Sequence, residues 1–226
     1  MALLTFLGAT QQVTGSCYLI ETRDGSKVLL ECGMRQGRQE DQAHNRAPFA
    51  FDPASLNAVV ISHAHIDHTG LLPRLVASGY RGPIFATHAT CELMELMLLD
   101  AANLQEKDAE WENKWRARLA KPFLEPLYCV ADAEQALKQR RPLAYGQTEE
   151  VAPGVRLTYH DAGHILGSAI VDLHINDHHL DRHLVFSGDL GNACSPLMRD
   201  PSILTDADLV LMESTYGDRD HRNDEE

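Results

Sequence analysis

His63, His65, Asp67 and His68 place three imidazoles and one carboxylate within six positions. Imidazole nitrogen and carboxylate oxygen both bind zinc at neutral pH, so a cluster this dense points to metal chemistry. It follows the apolar run Asn57-Ala58-Val59-Val60-Ile61-Ser62, which reads as a short strand of the fully buried type. Side chains two apart on an extended chain share a face, so His63 and His65 can point to one metal from the strand's end. Asp67 and His68 fall where the chain turns into a helical pattern and can face a second, nearby metal. Two more candidates lie downstream at loop tips: His164 in Gly163-His164-Ile165-Leu166-Gly167-Ser168, and Asp189 in Ser187-Gly188-Asp189-Leu190-Gly191. Their glycines let the backbone approach a metal closely.

The surrounding elements are legible as patterns. Strands are expected over residues 3–7, 16–22, 27–31, 57–62, 83–87, 155–160, 168–175, 182–187 and 208–213. Asp24-Gly25 marks a hairpin. Residues 33–50 lack periodicity and read as a loop. Helices are expected over 69–78, 90–105 and 131–139. Residues 106–121 read as an amphipathic helix that packs Trp111 and Trp115, at i and i+4, inward. Strands come first, then helix–strand units, then strands again, which predicts a layered α/β protein.

Composition excludes several classes. The 226 residues carry a formal net charge of -13, which argues against holding nucleic acid by bulk electrostatics alone. A nuclease remains open, because bound metal adds positive charge where a phosphate sits. Five cysteines without CxxC spacing read as reduced thiols of a cytoplasmic protein. The start of the chain lacks a signal-peptide pattern, and no apolar run approaches the ~20 residues of a membrane span. P-loop, GxGxxG and GxSxG motifs are absent. His174, His178, His179 and His183 surround the turn Asn176-Asp177 and read as a solvated hairpin rather than a further metal site. His88 and His160 read as structural, and Arg46 as a candidate substrate contact.

The HxHxDH cluster, the later Gly-His-Xaa-Xaa-Gly-Ser and the later Ser-Gly-Asp together resemble the metallo-β-lactamase superfamily. Glu213-Ser214-Thr215-Tyr216-Gly217-Asp218 resembles the junction of its β-CASP branch, the RNA- and DNA-processing nucleases. So do Gly8-Ala9-Thr10 with Val13-Thr14-Gly15-Ser16, Glu31-Cys32-Gly33-Met34-Arg35-Gln36-Gly37 and Pro142-Leu143-Ala144-Tyr145-Gly146. The resemblance implies a four-layered αββα sandwich and two zinc ions. His63, His65 and His164 would hold the first, Asp67 and His68 the second, with Asp189 bridging. It implies hydrolysis of RNA phosphodiesters by a two-metal mechanism, in which a hydroxide attacks phosphorus. Asp67 would orient the attacking group. Glu213 would orient a histidine that protonates the leaving oxygen.

Two departures from the family pattern stand out. Position 31 is Glu where Asp is more usual, in a place expected to buttress the histidine loop rather than bind zinc. The family's β-CASP insertion begins just after the Glu213 motif. Residues 1–216 are therefore expected to form the N-terminal portion of the metallo-β-lactamase domain, incomplete at the C-terminus, and residues 217–226 a polar tail. The last ligand of the second zinc and the histidine partnering Glu213 have no candidate here. An exposed apolar edge is then expected, which favours association, in the simplest case as a homodimer. Single-stranded DNA is a further candidate substrate. Two other readings stay open: a different ester hydrolase of the same fold, and a zinc-binding partner subunit without catalysis of its own.

Overall fold

The structure, a computed structural model, describes residues 2–37, 39–177 and 180–217. Its strands form two sheets. The first has the order β1 (Leu3–Phe6), β2 (Tyr18–Glu21), β3 (Lys27–Leu30), β4 (Ala58–Val60), β5 (Ile84–Ala86), β6 (Arg140–Pro142). It is antiparallel up to β3 and parallel beyond. In the second, β7 (Thr148–Ala152), β8 (Val155–Asp161), β9 (Ala169–Asp177) and β10 (Leu180–Phe186) lie side by side antiparallel. β11 (Leu209–Leu211) joins β10 in parallel.

Alternation along each strand builds the layers. Val155, Leu157 and Tyr159 of β8 and Val171, Leu173 and Ile175 of β9 meet Ile20, Val28, Leu30 and Val60 of the first sheet. The hydroxyl of Tyr159 crosses this interface to donate to the Phe85 carbonyl at 2.9 Å. The opposite face of the first sheet, through Leu29, Val59 and neighbouring Ile61, packs on Leu72 and Leu75 of α3 (Leu72–Ala77) and on Met94 and Leu98 of α4 (His88–Arg118). These are the two sheets and one helical layer of the expected sandwich. The outer face of the second sheet carries a small cluster, Ala162, Ile170 and Val185, against Leu190, Leu204 and Ala207.

Several expectations need correction. Residues 33–50 contain a helix, α1 (Gln39–Arg46), with acidic Glu40 and Asp41 in its first turn and His44 and Arg46 in its last. It has no apolar stripe to reveal it. The Asn45 side chain holds it, accepting from Arg35 N and donating to Arg35 O, both at 2.9 Å. The helix expected over 69–78 is two short pieces, α2 (Ile66–Thr69) and α3, separated at Gly70-Leu71. The two helices expected over 90–105 and 106–121 are one helix, α4, of 31 residues, about 46 Å long. Strands β6 and β7 had no periodic signal of their own.

Trp111 and Trp115 do not pack inward; they are 65% and 51% exposed. The buried stripe of α4 runs through Cys91, Met94, Leu98, Ala102 and Ala109. Trp111 lies two residues, about 200°, from Ala109 and so points away from it. Spacing at i, i+4 puts both rings on one face without saying which face is buried. Arg46 serves the fold: its guanidinium donates to the Glu125 carbonyl at 2.9 Å, and its own carbonyl accepts from Arg74. His178, His179 and residues 218–226 lie outside the described residues.

Candidate metal centre

Four atoms from three separate loops converge at the edge shared by the two sheets. His63 Nε2 lies 3.0 Å from His65 Nδ1, which lies 3.4 Å from His164 Nε2. Asp189 Oδ2 is 3.7 Å from both His63 Nε2 and His164 Nε2. Zinc with ligands at about 2.0–2.2 Å has tetrahedral edges of about 3.3–3.6 Å, and these separations bracket that value, so small side-chain adjustments seat such an ion. The other carboxylate oxygen, Asp189 Oδ1, is 3.4 Å from His68 Nε2, and Asp67 Oδ2 is 3.7 Å from the same nitrogen. Asp189 thus presents one oxygen to each of two adjoining donor sets. All six residues singled out from the sequence are brought together.

Local folding explains the convergence. β4 ends under the second sheet, where Ser62 O accepts from Ala169 N at 2.9 Å and ties the two sheets together. The chain then leaves the strand through His63–His65 and starts α2 at Ile66. Residues 16 and 32–34 stitch this turn down: Ser16 N donates to Asp67 O, Cys32 N to His68 O and Met34 N to Ile66 O, at 2.9–3.0 Å. Gly33 is required there, because a β-carbon would overlap the Asp67 carbonyl. His164 is set by Ser168 Oγ, which accepts from His164 N at 3.0 Å.

Ring orientation is set from behind. Ser62 Oγ lies 3.0 Å from His63 Nδ1, and Glu31 Oε2 lies 2.8 Å from His68 Nδ1, so each leaves Nε2 facing the centre. Glu31 is fully buried, and its Oε1 also accepts from Ser62 N at 2.6 Å. Its backbone is left-handed, φ 63°, a conformation uncommon outside glycine and often found at functional sites. The longer side chain at position 31 therefore keeps the expected buttressing place. Nothing in a lone serine before a histidine signals that Ser62 is a ring-orienting partner.

The electrostatics suit a cation. Burial, then the neighbouring imidazolium of His68, holds His63 well below the usual histidine range, and burial with His164 lowers His65. Both rings are therefore neutral and ready to donate lone pairs. Burial works against charge on His68, but its hydrogen bonds with Asp189 and Glu31 prevail and lift it to about 10. Burial likewise works against charge on Asp189, yet the His68 contacts prevail and bring it to about 2. Without metal, a proton on His68 supplies the positive charge between Glu31 and Asp189.

Glu213 does not face a histidine among the described residues. Its Oε1 accepts from Leu190 N at 2.7 Å, and its own N–H donates to Ser187 Oγ at 3.1 Å, so it braces the loop that carries Asp189. A cleft of about 440 Å³ opens beside it, lined by Gln11, Gln12, Ser16, His68, Asp189 and Ser214. On the other side of the centre, Leu93, Met97, Leu166 and Leu197 make an apolar wall next to His65 and His164.

The metallo-beta-lactamase superfamily model matches residues 11–222. The chain is 44% identical over 215 residues to ribonuclease TTHA0252 of Thermus thermophilus, covering 95% of this chain and 44% of that protein. It is 37% identical over 226 residues to transcription termination factor FttA of Methanothermobacter thermautotrophicus, covering 96% of this chain and 32% of that one. The chain thus spans less than half the length of these relatives. Among solved structures, a Cronobacter sakazakii metallo-β-lactamase aligns with a TM-score of 0.51 at 20% identity over 86% of this chain and 62% of that one, a likeness of fold.

Proposed function

Within the metallo-β-lactamase superfamily, to which this chain belongs, we propose that it supplies the zinc-binding part of a β-CASP ribonuclease hydrolysing RNA phosphodiesters. The observation that carries this reading is Asp189, whose two oxygens lie 3.7 Å and 3.4 Å from histidine nitrogens of two adjoining donor sets. The similarity to a protein named as a ribonuclease supports the substrate class.

His63, His65 and His164 would hold one zinc ion and Asp67 and His68 the other, with Asp189 placed to serve both. Bound zinc supplies Lewis acidity toward phosphate oxygens and makes a water molecule acidic enough to attack at neutral pH. Asp67 would orient that water through its carboxylate. Ser62 and Glu31 keep the rings in the tautomer that donates from Nε2. Glu213 keeps the Asp189 loop in place through Leu190 N. The cleft lined by Gln11, Gln12 and Ser214 offers neutral donors to a phosphate backbone, suited to a chain whose net charge of -13 gives no bulk attraction for RNA.

Among the described residues no helix is long and apolar enough to cross a membrane. We place the protein in the cytoplasm, in keeping with five free cysteines. Leu209, Val210 and Met212 leave an exposed apolar edge suited to homodimer formation, which sedimentation at increasing concentration tests. The function is tested by stripping metal, restoring zinc and following labelled single-stranded RNA and DNA side by side. RNA cleavage should return with zinc and vanish in His65→Ala. Cleavage that survives the substitution sinks the proposal, and cleavage of DNA alone replaces the substrate.

A further inference from the structure

The outer face of the second sheet holds a second group of imidazoles around a carboxylate. Asp172 on β9 is 8% exposed. Its Oδ1 lies 2.8 Å from His183 Nε2 on β10 and 3.5 Å from His174 Nε2 two residues along β9. Its Oδ2 lies 3.0 Å from His160 Nε2 on β8. His174 and His183 are directly paired across the β9–β10 ladder, with their rings stacked at 4.3 Å and 11°.

We propose that Asp172, His174 and His183 form an additional zinc site, separate from the centre that includes Asp189. Both Nε2 atoms lie near the same carboxylate oxygen, so three donor atoms are gathered on one patch of the sheet. They lie within 4.8 Å of one another; the 3.5 Å separation matches the edge of a zinc tetrahedron, and the 2.8 Å hydrogen bond between His183 and Asp172 opens by a few tenths of an ångström when an ion takes the place of its proton. Among the described residues no Lys or Arg is within ion-pair distance of Asp172, so this nearly buried carboxylate meets only imidazoles. Arg156 sits opposite His174 in register, but its cleft also holds Glu150 and Asp181. Two imidazoles and a carboxylate form a donor set that a borderline divalent ion prefers, with the fourth position left to water.

The support is rigid. β9 and β10 pair without interruption from Asp177–Leu180 to Val171–Phe186. His160 fixes Asp172 from its other oxygen, as outer partners of metal ligands do. Asp208 Oδ2 accepts from His183 N at 2.8 Å and anchors that strand residue. His183 lies on β10, three residues before its end, and Asp189 on the loop beyond, and the two donor groups share no residue, so an ion here does not share the first centre's ligands. Its effect is to clamp β9 to β10.

The test is a zinc titration of metal-free protein against a chromophoric chelator, with metal content measured at the end point. Wild type should bind one zinc ion per chain more than His174→Ala and His183→Ala. Those variants should unfold cooperatively without zinc, since His174 is largely exposed. In wild type, ring signals of His174 and His183 should shift as the last equivalent is added. Equal stoichiometry in all three proteins, or ring signals that stay fixed, overturns the site; the ring readout stands even if a variant fails to fold.

Discussion

The protein holds two aspartate-centred histidine clusters, and their supports differ. Around Asp189 the candidate ligands come from where the chain leaves its strands: the turn after β4 and the short helix α2 that follows it, the loop between β8 and β9, and the loop after β10. Around Asp172 they stand on regular strands. The first cluster contains groups that are 0% and 3% exposed, His63 and His68, and draws on Glu31 in a left-handed backbone. The second is open to solvent, with His174 exposed and His183 half-buried. Loops that converge can surround an ion on several sides and leave its remaining face to a substrate. Strand faces present donors from one side only. The difference separates a centre built for chemistry from one suited to holding strands together.

The sharpest way to break that contrast is to remove each aspartate in turn. Asp189→Ala should lower RNA cleavage by about 10³-fold or more, because it removes a ligand from both donor sets. The readout is single-turnover cleavage with zinc in excess. Asp172→Ala should register instead as a lower unfolding midpoint in zinc. Retained cleavage in Asp189→Ala would place the chemistry elsewhere.

The buttresses come next. Glu31→Ala leaves His68 and Ser62 N without their buried partner and should cost about 3–5 kcal/mol in denaturant unfolding. Zinc affinity at the first centre should fall about 10–100-fold. His160→Ala, which removes a hydrogen bond to a carboxylate at a less buried place, should cost about 1.5–3 kcal/mol. Equal losses would erase the distinction between the two supports.

Proton release gives a smaller effect. In metal-free protein His68 is lifted from 6.5 to about 10, so its charge stabilises the fold fully below pH 6.5 and that contribution is lost as pH rises toward 10. Zinc must displace this proton. Binding at pH 7.5 should release about one proton per chain from the first centre, and apparent affinity there should rise about tenfold per pH unit between 7 and 9. Calorimetry in buffers of different ionisation enthalpy measures both. Smallest of all, Trp111→Ser, on the exposed side of α4, should change stability by less than about 0.5 kcal/mol, a floor against which the other losses are read.

Much of the first cluster was legible because its signal is compact. Four candidate ligands fall within six residues, and Gly-flanked His164 and Asp189 each sit beside a recognisable strand. Glu31 was legible as a buttress through the resemblance. Its dual bond to Ser62 N and His68, and the bracing of the Asp189 loop by Glu213, were not, since neither side chain carries a pattern that names its partner. The apolar alternation of β8 and β9 exposed the core. It said nothing of α1, whose helix has no apolar face, or of which side of α4 the tryptophans occupy.

By itself the sequence determined the candidate metal-binding residues, the family and the order of most elements, because side-chain identity, short-range spacing and hydrophobic period are properties of the chain. Only the tertiary structure decided that Asp189 turns one oxygen to each donor set and that Asp172 gathers His160, His174 and His183. The reason is geometric. Cross-strand neighbours are chosen by register, and the β9–β10 register sets His174 opposite His183, nine positions apart, a pairing that no local pattern encodes.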